Sequence, residues 1–529
     1  MSKVKRYIEL DNGDFAVDLF PYKIKNREAF YFRDHPENIS PNSFAYESYW
    51  EEQIKYYIEG RWIDDNGTWV YMMPKLCFYI NYVTIPDEDR RIIKPRLRDN
   101  EWLQGTYYLY SDGFSGFEDD EDYTCSYVVD KLEKGRELSL PEKKYLEESK
   151  YIRKPTGEYK KYVHPWDYLT ETYLIEDNRG KPLGLPLYEN PKKDTMIMSA
   201  RGVSKSFFGF GCEFLHEWIF NGAKRLEELP ELVNTRRLFG MGSGDARQIN
   251  RSLEQISGFY ERMPGYYLYG VDKDGKPDEV KGALYKNIQG NWKTGQTVMH
   301  ILNNMDSTSE IKGNTCQIAA LTSDKYNVFA GDRFAQIWVE EVGFCPYIKD
   351  VRSSVRDSLR VGNKKVGKLM MLGTGGDMFA VKEPKDMFEN PVGYDIADIK
   401  NYFEKNKDTR IGLFIPAYYQ SESFKDANGN TILQEALLDV VKKRIEEKSS
   451  SDSRSFSIHI MYNPIYPKEM LRPNKKSELP TVELSEHRAN IMNVSIKDGS
   501  SIFKKRTRIG KFNIRSNPST DNVVFDVDV

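Results

Sequence analysis

The sequence predicts an α/β fold with a mostly parallel, doubly wound sheet, preceded by an aromatic-rich α+β N-terminal region. Two observations predict the sheet: from Asp194 onward, short apolar runs alternate with segments of helical character, and small-residue turns follow several of these runs. We expect strands at 195–198, 238–241, 317–321, 335–339, 369–372 and 411–417. A later strand with one buried face is expected at 456–462, where apolar and polar residues alternate.

The composition is that of a folded protein, since 39% of the 529 residues are hydrophobic and 30% are charged. This length allows about three domains. We place an aromatic-rich N-terminal region at 1–165, a core with lid elements at 166–490 and a C-terminal linker or edge segment at 491–529. The 77 basic and 80 acidic residues leave a net charge of −3, so a contact with nucleic acid requires a local basic patch.

Cysteine and histidine usage excludes two classes of protein. Five cysteines without Cys-x-x-Cys spacing indicate reduced thiols, and six dispersed histidines form no zinc-ligand cluster. Residues 1–15 lack an apolar segment, and the most apolar stretch, 207–220, carries Glu213, His216 and Glu217. Neither export nor membrane insertion is therefore predicted.

Aromatic side chains crowd the N-terminal region between Tyr46 and Tyr82. Within it, 61–71 is typical of a β-hairpin, because Asn66-Gly67 readily takes the two positive φ angles of a type I′ turn. The rings could form a platform for stacked bases, but aromatic residues on strands mostly pack in a core. We favour packing.

The segment TMIMSARGVSKS, from Thr195 to Ser206, predicts a strand that runs through a small-residue loop into a helix. The phosphate-binding pattern GxxxxGK[ST] has this layout: backbone N–H groups and a helix N-terminus hold phosphates, the lysine reaches the β and γ oxygens, and the hydroxyl binds Mg²⁺. Ser199 and Ser204 stand where the pattern has glycine. Alone, the segment is also compatible with an ordinary strand-to-helix turn.

Two further predicted strand ends carry groups suited to nucleotide chemistry. The run FAQIWVEE ends in Glu340 and Glu341; a strand-end carboxylate can hold Mg²⁺ through water, and its neighbour can orient and deprotonate an attacking water. The run KLMMLGTGGD leads into a glycine turn with a hydroxyl. Ligands of open α/β sheets bind at the carboxyl ends of the strands, so the three loops are expected to converge. Together they predict an ATPase.

These motifs, in this order, resemble the large terminase subunit of tailed bacteriophages, the ATP-driven motor that packages DNA into proheads. The resemblance covers about 45–490 and implies a RecA-like (ASCE) P-loop NTPase core that uses ATP and Mg²⁺. It implies nucleotide contacts from the whole loop: Ser199, Ala200, Arg201, Gly202, Val203, Ser204, Lys205 and Ser206. Lys205 would bind phosphate, Ser206 Mg²⁺, and Arg201 would sense phosphate or stabilise the transition state.

The same resemblance assigns the two later motifs. Glu340 would take the metal-associated position and Glu341 the role of catalytic base, while Gly373, Thr374 and Gly375 would couple hydrolysis to movement. The segment YNPIYPKE, which begins at Tyr462, is similar to the Pro…Glu segment near the end of such ATPase domains. The sequence departs from the family at Ser204, where glycine is usual, and at Glu340, where aspartate is usual.

Family resemblance also implies partners and a location. The implied partners are double-stranded DNA, a portal protein and a small terminase subunit. The resemblance also implies a homo-oligomeric ring, a pentamer in the family, and no association with a membrane. The location is the host bacterial cytoplasm, with transient residence at the portal vertex of the prohead. Large terminases usually add an RNase H-like nuclease; since few residues follow Glu469, we expect no nuclease activity from this chain and interpret Asp526 and Asp528 as part of an edge strand or linker.

Basic residues near the acidic strand are candidates for contacts with DNA or with a neighbouring subunit. Arg352, Arg356 and Arg360 recur every four residues beside an apolar stripe, which on one helix gives a cationic ridge. Arg333, just before the strand, has the same two interpretations. A solvated face paired with acids such as Asp357 is equally compatible with this pattern.

The predicted function is ATP-driven translocation of double-stranded DNA into a viral prohead. One alternative is another P-loop DNA motor, such as a helicase. The second is a non-catalytic capsid-associated protein with a degenerate nucleotide site, which the two serines of the loop make conceivable.

Overall fold

The structure of the protein is a computed structural model. It describes residues 6–11, 13–32, 40, 43–87, 89–112, 135, 137, 162–163, 192–223, 226–232, 237–244, 246–262, 288–289, 297–301, 314–362, 364–377, 380–404, 409–420, 422–451 and 453–472. The segment predicted at 491–529, with Asp526 and Asp528, lies outside the described residues.

The described elements are numbered along the chain. The strands are β1 (Tyr7–Glu9), β2 (Phe15–Val17), β3 (Arg61–Asp65), β4 (Thr68–Met72), β5 (Ile85–Pro86), β6 (Ile92–Ile93), β7 (Tyr162–Val163), β8 (Thr195–Ser199), β9 (Leu238–Ser243), β10 (Ile288–Gln289), β11 (Thr297–Ile301), β12 (Thr315–Ala320), β13 (Phe334–Glu340), β14 (Arg360–Val361), β15 (Lys364–Lys365), β16 (Lys368–Gly373), β17 (Gly376–Asp377), β18 (Ile399–Lys400), β19 (Arg410–Ile411), β20 (Leu413–Ile415) and β21 (Leu471–Arg472). The α-helices are α1 (Phe44–Glu59), α2 (Pro74–Tyr82), α3 (Asp99–Ser111), α4 (Lys205–Phe208), α5 (Leu215–Phe220), α6 (Leu229–Leu232), α7 (Ala246–Glu261), α8 (Ile348–Val355), α9 (Lys382–Glu389), α10 (Leu433–Ser450) and α11 (Ser453–Tyr462). A π-helical turn, Gly209–Phe214, joins α4 to α5.

An eight-stranded sheet forms the centre of the fold, in the spatial order β10-β11-β12-β9-β13-β16-β8-β20. The six strands from β12 to β20 in this order are parallel to one another. Strands β10 and β11 continue the sheet with antiparallel pairing. The six apolar runs predicted as strands coincide with the six parallel strands, so the predicted α/β fold is confirmed.

The register of the sheet places three loops side by side. Strand β16 lies between β8 and β13, and it pairs with both in parallel: Gly373 is level with Met198, and Met371 with Val339. The loops that follow β8, β13 and β16 therefore leave the same edge of the sheet. Every residue of β8 and β16 is buried, as expected for parallel strands covered on both faces.

The N-terminal region packs against this sheet. The hairpin predicted at 61–71 is confirmed, because β3 and β4 pair antiparallel around Asn66 and Gly67, whose φ angles are 50° and 84°. Many of the aromatic rings between Tyr46 and Tyr82 are buried, as the packing interpretation expects, although most of the buried ones lie on α1 and α2 instead of on strands. One hydrophobic core contains residues from both the N-terminal region and the sheet.

A buried ionic cluster ties the N-terminal region to the sheet. Lys75 on α2 has its Nζ 2.8 Å from Glu213 Oε1 and 2.9 Å from Asp112 Oδ2. Lys368, at the start of β16, has its Nζ 3.2 Å from the same Glu213 oxygen and also contacts Asp112. Glu213 lies on the π-helical turn and is fully buried. This carboxylate therefore links α2, the π-helical turn and β16.

The structure corrects the strand predicted at 456–462. These residues belong to α11, and the buried side chains include Phe456, Ile460 and Met461. Buried positions four residues apart fit the helical period of 3.6, and the hydrophobic residue Ile458 between them is only partly buried. Alternation over seven residues was too short to separate the two periods. Among the described residues, no helix is long and apolar enough to cross a membrane.

Candidate active site

The loop between β8 and α4 has the layout of a phosphate-binding loop. It leaves β8 after the buried Ser199 and reaches α4 through Ser204. The φ angles of Gly202 and Ser204 are +78° and 59°, both in the left-handed region. Glycine adopts this region without steric cost, whereas a residue with a Cβ atom loses roughly 1 kcal/mol there. Ser204 therefore holds a backbone conformation to which glycine is better suited.

Two segments hold the backbone of this loop. The Ala200 N–H donates to the Ile415 carbonyl at the end of the neighbouring strand β20, at 2.9 Å. From α3, Asn100 Nδ2 and Gln104 Nε2 donate to the Val203 carbonyl at 3.2 and 3.3 Å. Sequence reasoning missed Asn100 and Gln104, and their only signal is the spacing of two amides one helical turn apart. The N-terminal region thus contributes directly to the shape of the loop.

Lys205 and Glu341 face each other across the cleft. Lys205 begins α4 and is 8% exposed, and its Nζ lies 3.8 Å from Glu341 Oε1. The other oxygen of Glu341 accepts hydrogen bonds from Thr374 Oγ1 at 3.0 Å and from the Thr374 N–H at 3.3 Å. Glu341 itself has a left-handed backbone, with φ 51°. The three sequence motifs are therefore brought together at one carboxylate.

Ser206 and Glu340 form the second contact between the phosphate-binding loop and the acidic strand. The Ser206 hydroxyl donates to Glu340 Oε1 at 3.0 Å. The second oxygen, Oε2, is hydrogen-bonded to the hydroxyl of Ser252 on α7, a residue that sequence reasoning missed. Burial, with a smaller contribution from the neighbouring Glu341, raises the pKa of Glu340 to about 7, against the lowering effect of the Ser206 hydrogen bond.

The chemistry of this pair fits Mg²⁺. Mg²⁺ is bound in nucleotide sites by one or two hard oxygen ligands of the protein together with substrate phosphates and water. Ser206 uses its single proton on Glu340, so the lone pairs of its oxygen remain for a cation. Among the residues that the structure describes, no cluster of three His, Cys, Asp or Glu side chains could hold a metal ion without such help.

Arg201 is exposed and stacks on an aromatic ring. The guanidinium carbon of Arg201 lies 3.3 Å from the centre of the Tyr462 ring. The backbone N–H of Arg201 donates to the Tyr462 carbonyl at 3.0 Å. The cation–π contact holds the side chain beside the loop. Its role toward phosphate stays a prediction.

The segment after α11 connects two of the three loops. Besides Tyr462 at Arg201, Gly376 pairs in parallel with Leu471, on the loop that follows β16. A buried ion pair fixes this segment: Arg444 donates to both oxygens of Glu469 at 3.1 and 2.6 Å. The YNPIYPKE segment therefore lies between the phosphate-binding loop and the loop that carries Thr374.

The four candidate arginines lie elsewhere. The predicted ridge of three arginines on one helix is wrong, because α8 ends at Val355 and Arg360 belongs to β14. Arg352 lies 3.7 Å from Asp194, which precedes β8, and Arg333 directly precedes β13. These positions are at the amino ends of the strands, opposite the cleft. Arg356 and Arg360 lie near acids, Asp357 at 3.6 Å and Asp395 at 3.7 Å. Contacts of these arginines with DNA or a neighbouring subunit stay predictions.

A cavity of about 450 Å³ opens beside the phosphate-binding loop, on the side of β20. Its lining includes Gly202 and Gln420, together with Arg98, Lys443 and His459. Gln420 packs so closely on Gly202 that a Cβ atom there would lie 2.7 Å from its Nε2. The cleft with the acidic residues and this cavity thus lie on opposite sides of one loop.

Comparisons with known proteins find matches among solved structures. No family model matches the chain, and no curated protein does. Among solved structures, the large terminase ATPase domain of Thermus phage P74-26 matches with a TM-score of 0.29 and 10% identity, over 52% of this chain and 88% of that domain. The large terminase of another thermophilic bacteriophage, in complex with ADP, gives 0.25 and 10%, over 50% of this chain and 46% of that one. The HK97 bacteriophage large terminase gives 0.21 and 12%, over 68% and 53%.

These structures belong to the family that the three motifs resemble, and the chain is similar to large terminase ATPases in that sense.

Proposed function

We propose that the chain is a motor ATPase of the terminase type, which hydrolyses ATP to translocate double-stranded DNA into a viral prohead. The observation that carries this proposal is the cleft itself: Lys205 and Ser206 on one wall contact Glu341 and Glu340 on the other. A lysine, a hydroxyl and two carboxylates in this arrangement are the groups that ATP hydrolysis requires.

The proposed reaction is in-line attack of water on the γ-phosphate. The loop N–H groups and the start of α4 bind the phosphates, and Lys205 exchanges Glu341 for phosphate oxygens as its partner. Glu341 is then free to orient the attacking water and accept its proton, while Thr374 holds the carboxylate in place. Mg²⁺, bound by Ser206 and Glu340 together with the nucleotide, would neutralise the charge that develops on the β and γ oxygens. The cavity beside Gly202 would hold the ribose and base.

The remaining assignments follow the family resemblance. Arg201 leaves Tyr462 to contact phosphate, and the Gly373-Thr374-Gly375 turn transmits hydrolysis to the segment after α11. The motor acts as a homo-oligomeric ring, a pentamer by resemblance, on the portal protein at the prohead vertex in the host cytoplasm, with a small terminase subunit that selects DNA. Arg333, Arg352, Arg356 and Arg360 are candidates for DNA or neighbour contacts, and DNA cleavage is outside this proposal.

The test is steady-state ATP turnover with and without duplex DNA, for the wild type and two variants. Lys205→Ala should abolish turnover and weaken nucleotide binding, whereas Glu341→Gln should abolish turnover and retain binding. Lys382→Ala, at an exposed lysine of α9, is the matched control and should behave as wild type. Turnover that survives both cleft substitutions contradicts the proposal.

Two outcomes would favour the other functions. Strand displacement by the active ATPase, without translocation of intact duplex, indicates a helicase. A wild type that binds no nucleotide and joins capsid assemblies indicates a non-catalytic capsid-associated protein, for which the left-handed Ser204 is the structural reason.

A further inference from the structure

Ser252 on α7 lies against Glu340, although 88 positions separate them in the sequence. Ser252 is 1% exposed, and its hydroxyl is hydrogen-bonded to Glu340 Oε2. The other oxygen of that carboxylate accepts the hydrogen bond of 3.0 Å from Ser206. Each oxygen of Glu340 thus has its own serine hydroxyl.

The two hydrogen bonds restrain the last side-chain torsion of Glu340, which sets the plane of its carboxylate. The last torsion of a glutamate is broad and prefers no single staggered position, so an untethered carboxylate would turn freely beside Ser206. Anchoring both oxygens fixes the plane of the carboxylate and keeps Oε1 directed at the Ser206 proton. The Ser252 hydroxyl has one proton and two acceptors within reach, Glu340 Oε2 and the Gln248 carbonyl, which lies 2.9 Å away one helical turn earlier, so the two acceptors share this proton.

The orientation of Glu340 also determines the orientation of the Ser206 hydroxyl. While Oε1 takes the Ser206 proton, the lone pairs of that hydroxyl point away from Glu340 and are available to a cation. If Glu340 turned, Ser206 would lose its acceptor and its hydroxyl would rotate. The position of α7 thereby controls the direction of a hydroxyl on α4.

We propose that Ser252 is a positioning residue, which orients Glu340 so that Ser206 and Glu340 together bind Mg²⁺ with the nucleotide. This inference rests on the proposed function. It adds helix α7 to the proposed site, since α7 follows β9 and lies outside the three sequence motifs. Removal of the Ser252 hydroxyl should therefore reduce only the gain in nucleotide affinity that Mg²⁺ provides.

The experiment measures the affinity of a fluorescent ADP analogue in saturating Mg²⁺ and in EDTA. Ser252→Ala should leave the affinity in EDTA unchanged and reduce the gain on adding Mg²⁺ by about tenfold, the size expected for one hydrogen bond to a charged group. The Mg²⁺ concentration for half-maximal ATP turnover should rise by a similar factor. Ser252→Thr keeps the hydroxyl and should retain the Mg²⁺ dependence of the wild type.

The matched control is Ser358→Ala, which removes another buried hydroxyl, one that donates to the Phe329 carbonyl at 3.1 Å. It should change neither affinity. A Ser252→Ala protein with wild-type Mg²⁺ dependence overturns the inference and leaves the proposed function standing, as does a Ser252→Thr protein that loses this dependence equally. An equal loss in Ser358→Ala overturns it as well. A wild type without Mg²⁺-dependent nucleotide binding overturns both the inference and the proposed function.

Discussion

Lys205 Nζ lies 3.8 Å from Glu341 Oε1, across the cleft between the phosphate-binding loop and the acidic strand. The same carboxylate accepts two hydrogen bonds from Thr374, on the loop after β16. In the proposed function, a triphosphate that enters the cleft competes with Glu341 for Lys205. Binding of the substrate and release of the base are therefore one event, and Thr374 determines where the released carboxylate remains.

Thr374→Val should lower the turnover number without weakening nucleotide binding. Valine keeps the shape of threonine but removes the hydroxyl that donates to Glu341 at 3.0 Å, and one hydrogen bond to a charged group corresponds to about tenfold in rate. Steady-state kinetics and ADP titration measure the two effects separately. Thr374→Ser retains the hydroxyl and is the control. A matching loss in both variants would argue against a role for this hydrogen bond.

The sequence was sufficient to predict the parallel sheet for a physical reason. A strand that is buried on both faces reads as a continuous apolar run, as β8 and β16 do. The loop motifs at the ends of these strands follow from the same rule, since ligands of such sheets bind at the carboxyl ends. The meeting of Lys205 with Glu341 could thus be anticipated from motif order alone.

Contacts that depend on packing between distant elements could not be predicted from the sequence. Asn100 and Gln104 acquire a role only because α3 packs on the loop, and Ser252 only because α7 follows a strand next to β13. The period of α11 and the end of α8 were missed for a local reason. Short apolar patterns are compatible with both helix and strand, and tertiary packing decides between them.

Glu101→Gln should stabilise the protein increasingly as the pH rises. Burial raises the pKa of Glu101 from 4.5 to about 7, while Arg98 opposes this shift. The folded state then holds a proton that the unfolded chain has released, so this group lowers stability as the pH rises from about 4.5 to about 7, with little change above. The full shift corresponds to an upper bound of about 3 kcal/mol. Urea unfolding across this pH range measures the gain, and a gain independent of pH would contradict the interpretation.

Ser204→Gly should stabilise the phosphate-binding loop. The φ angle of Ser204 is 59°, and removing its Cβ atom relieves a cost of roughly 1 kcal/mol, less the entropy that glycine adds to the unfolded chain. We expect a net gain of about 0.5 kcal/mol in the free energy of unfolding and tighter ADP binding. Ser353→Gly, within α8, is the control and should instead cost about 0.5–1 kcal/mol. Destabilisation by both substitutions would show that the left-handed backbone of Ser204 stores no strain.

Glu213→Ala should destabilise the whole fold, because it removes the carboxylate at the centre of the buried ionic cluster. Lys75 and Lys368 lie 2.8 and 3.2 Å from Glu213 Oε1, and Gln336 Nε2 donates to the same atom at 3.1 Å. Loss of one partner from a buried ion pair costs about 3–5 kcal/mol, since the remaining charge is left without compensation. Urea unfolding provides the measurement, with Glu435→Ala at an exposed site of α10 as the control.

The double variant Glu213→Ala, Lys368→Met separates the charge from the cavity that alanine leaves. It removes the uncompensated cation of β16 together with its partner, so its cost should be smaller than the sum of the two single costs by about 1–3 kcal/mol. Strict additivity would mean that Glu213 stabilises the fold without attraction to Lys368. A coupling of the expected size would establish that electrostatic attraction between Glu213 and Lys368 links the π-helical turn to β16.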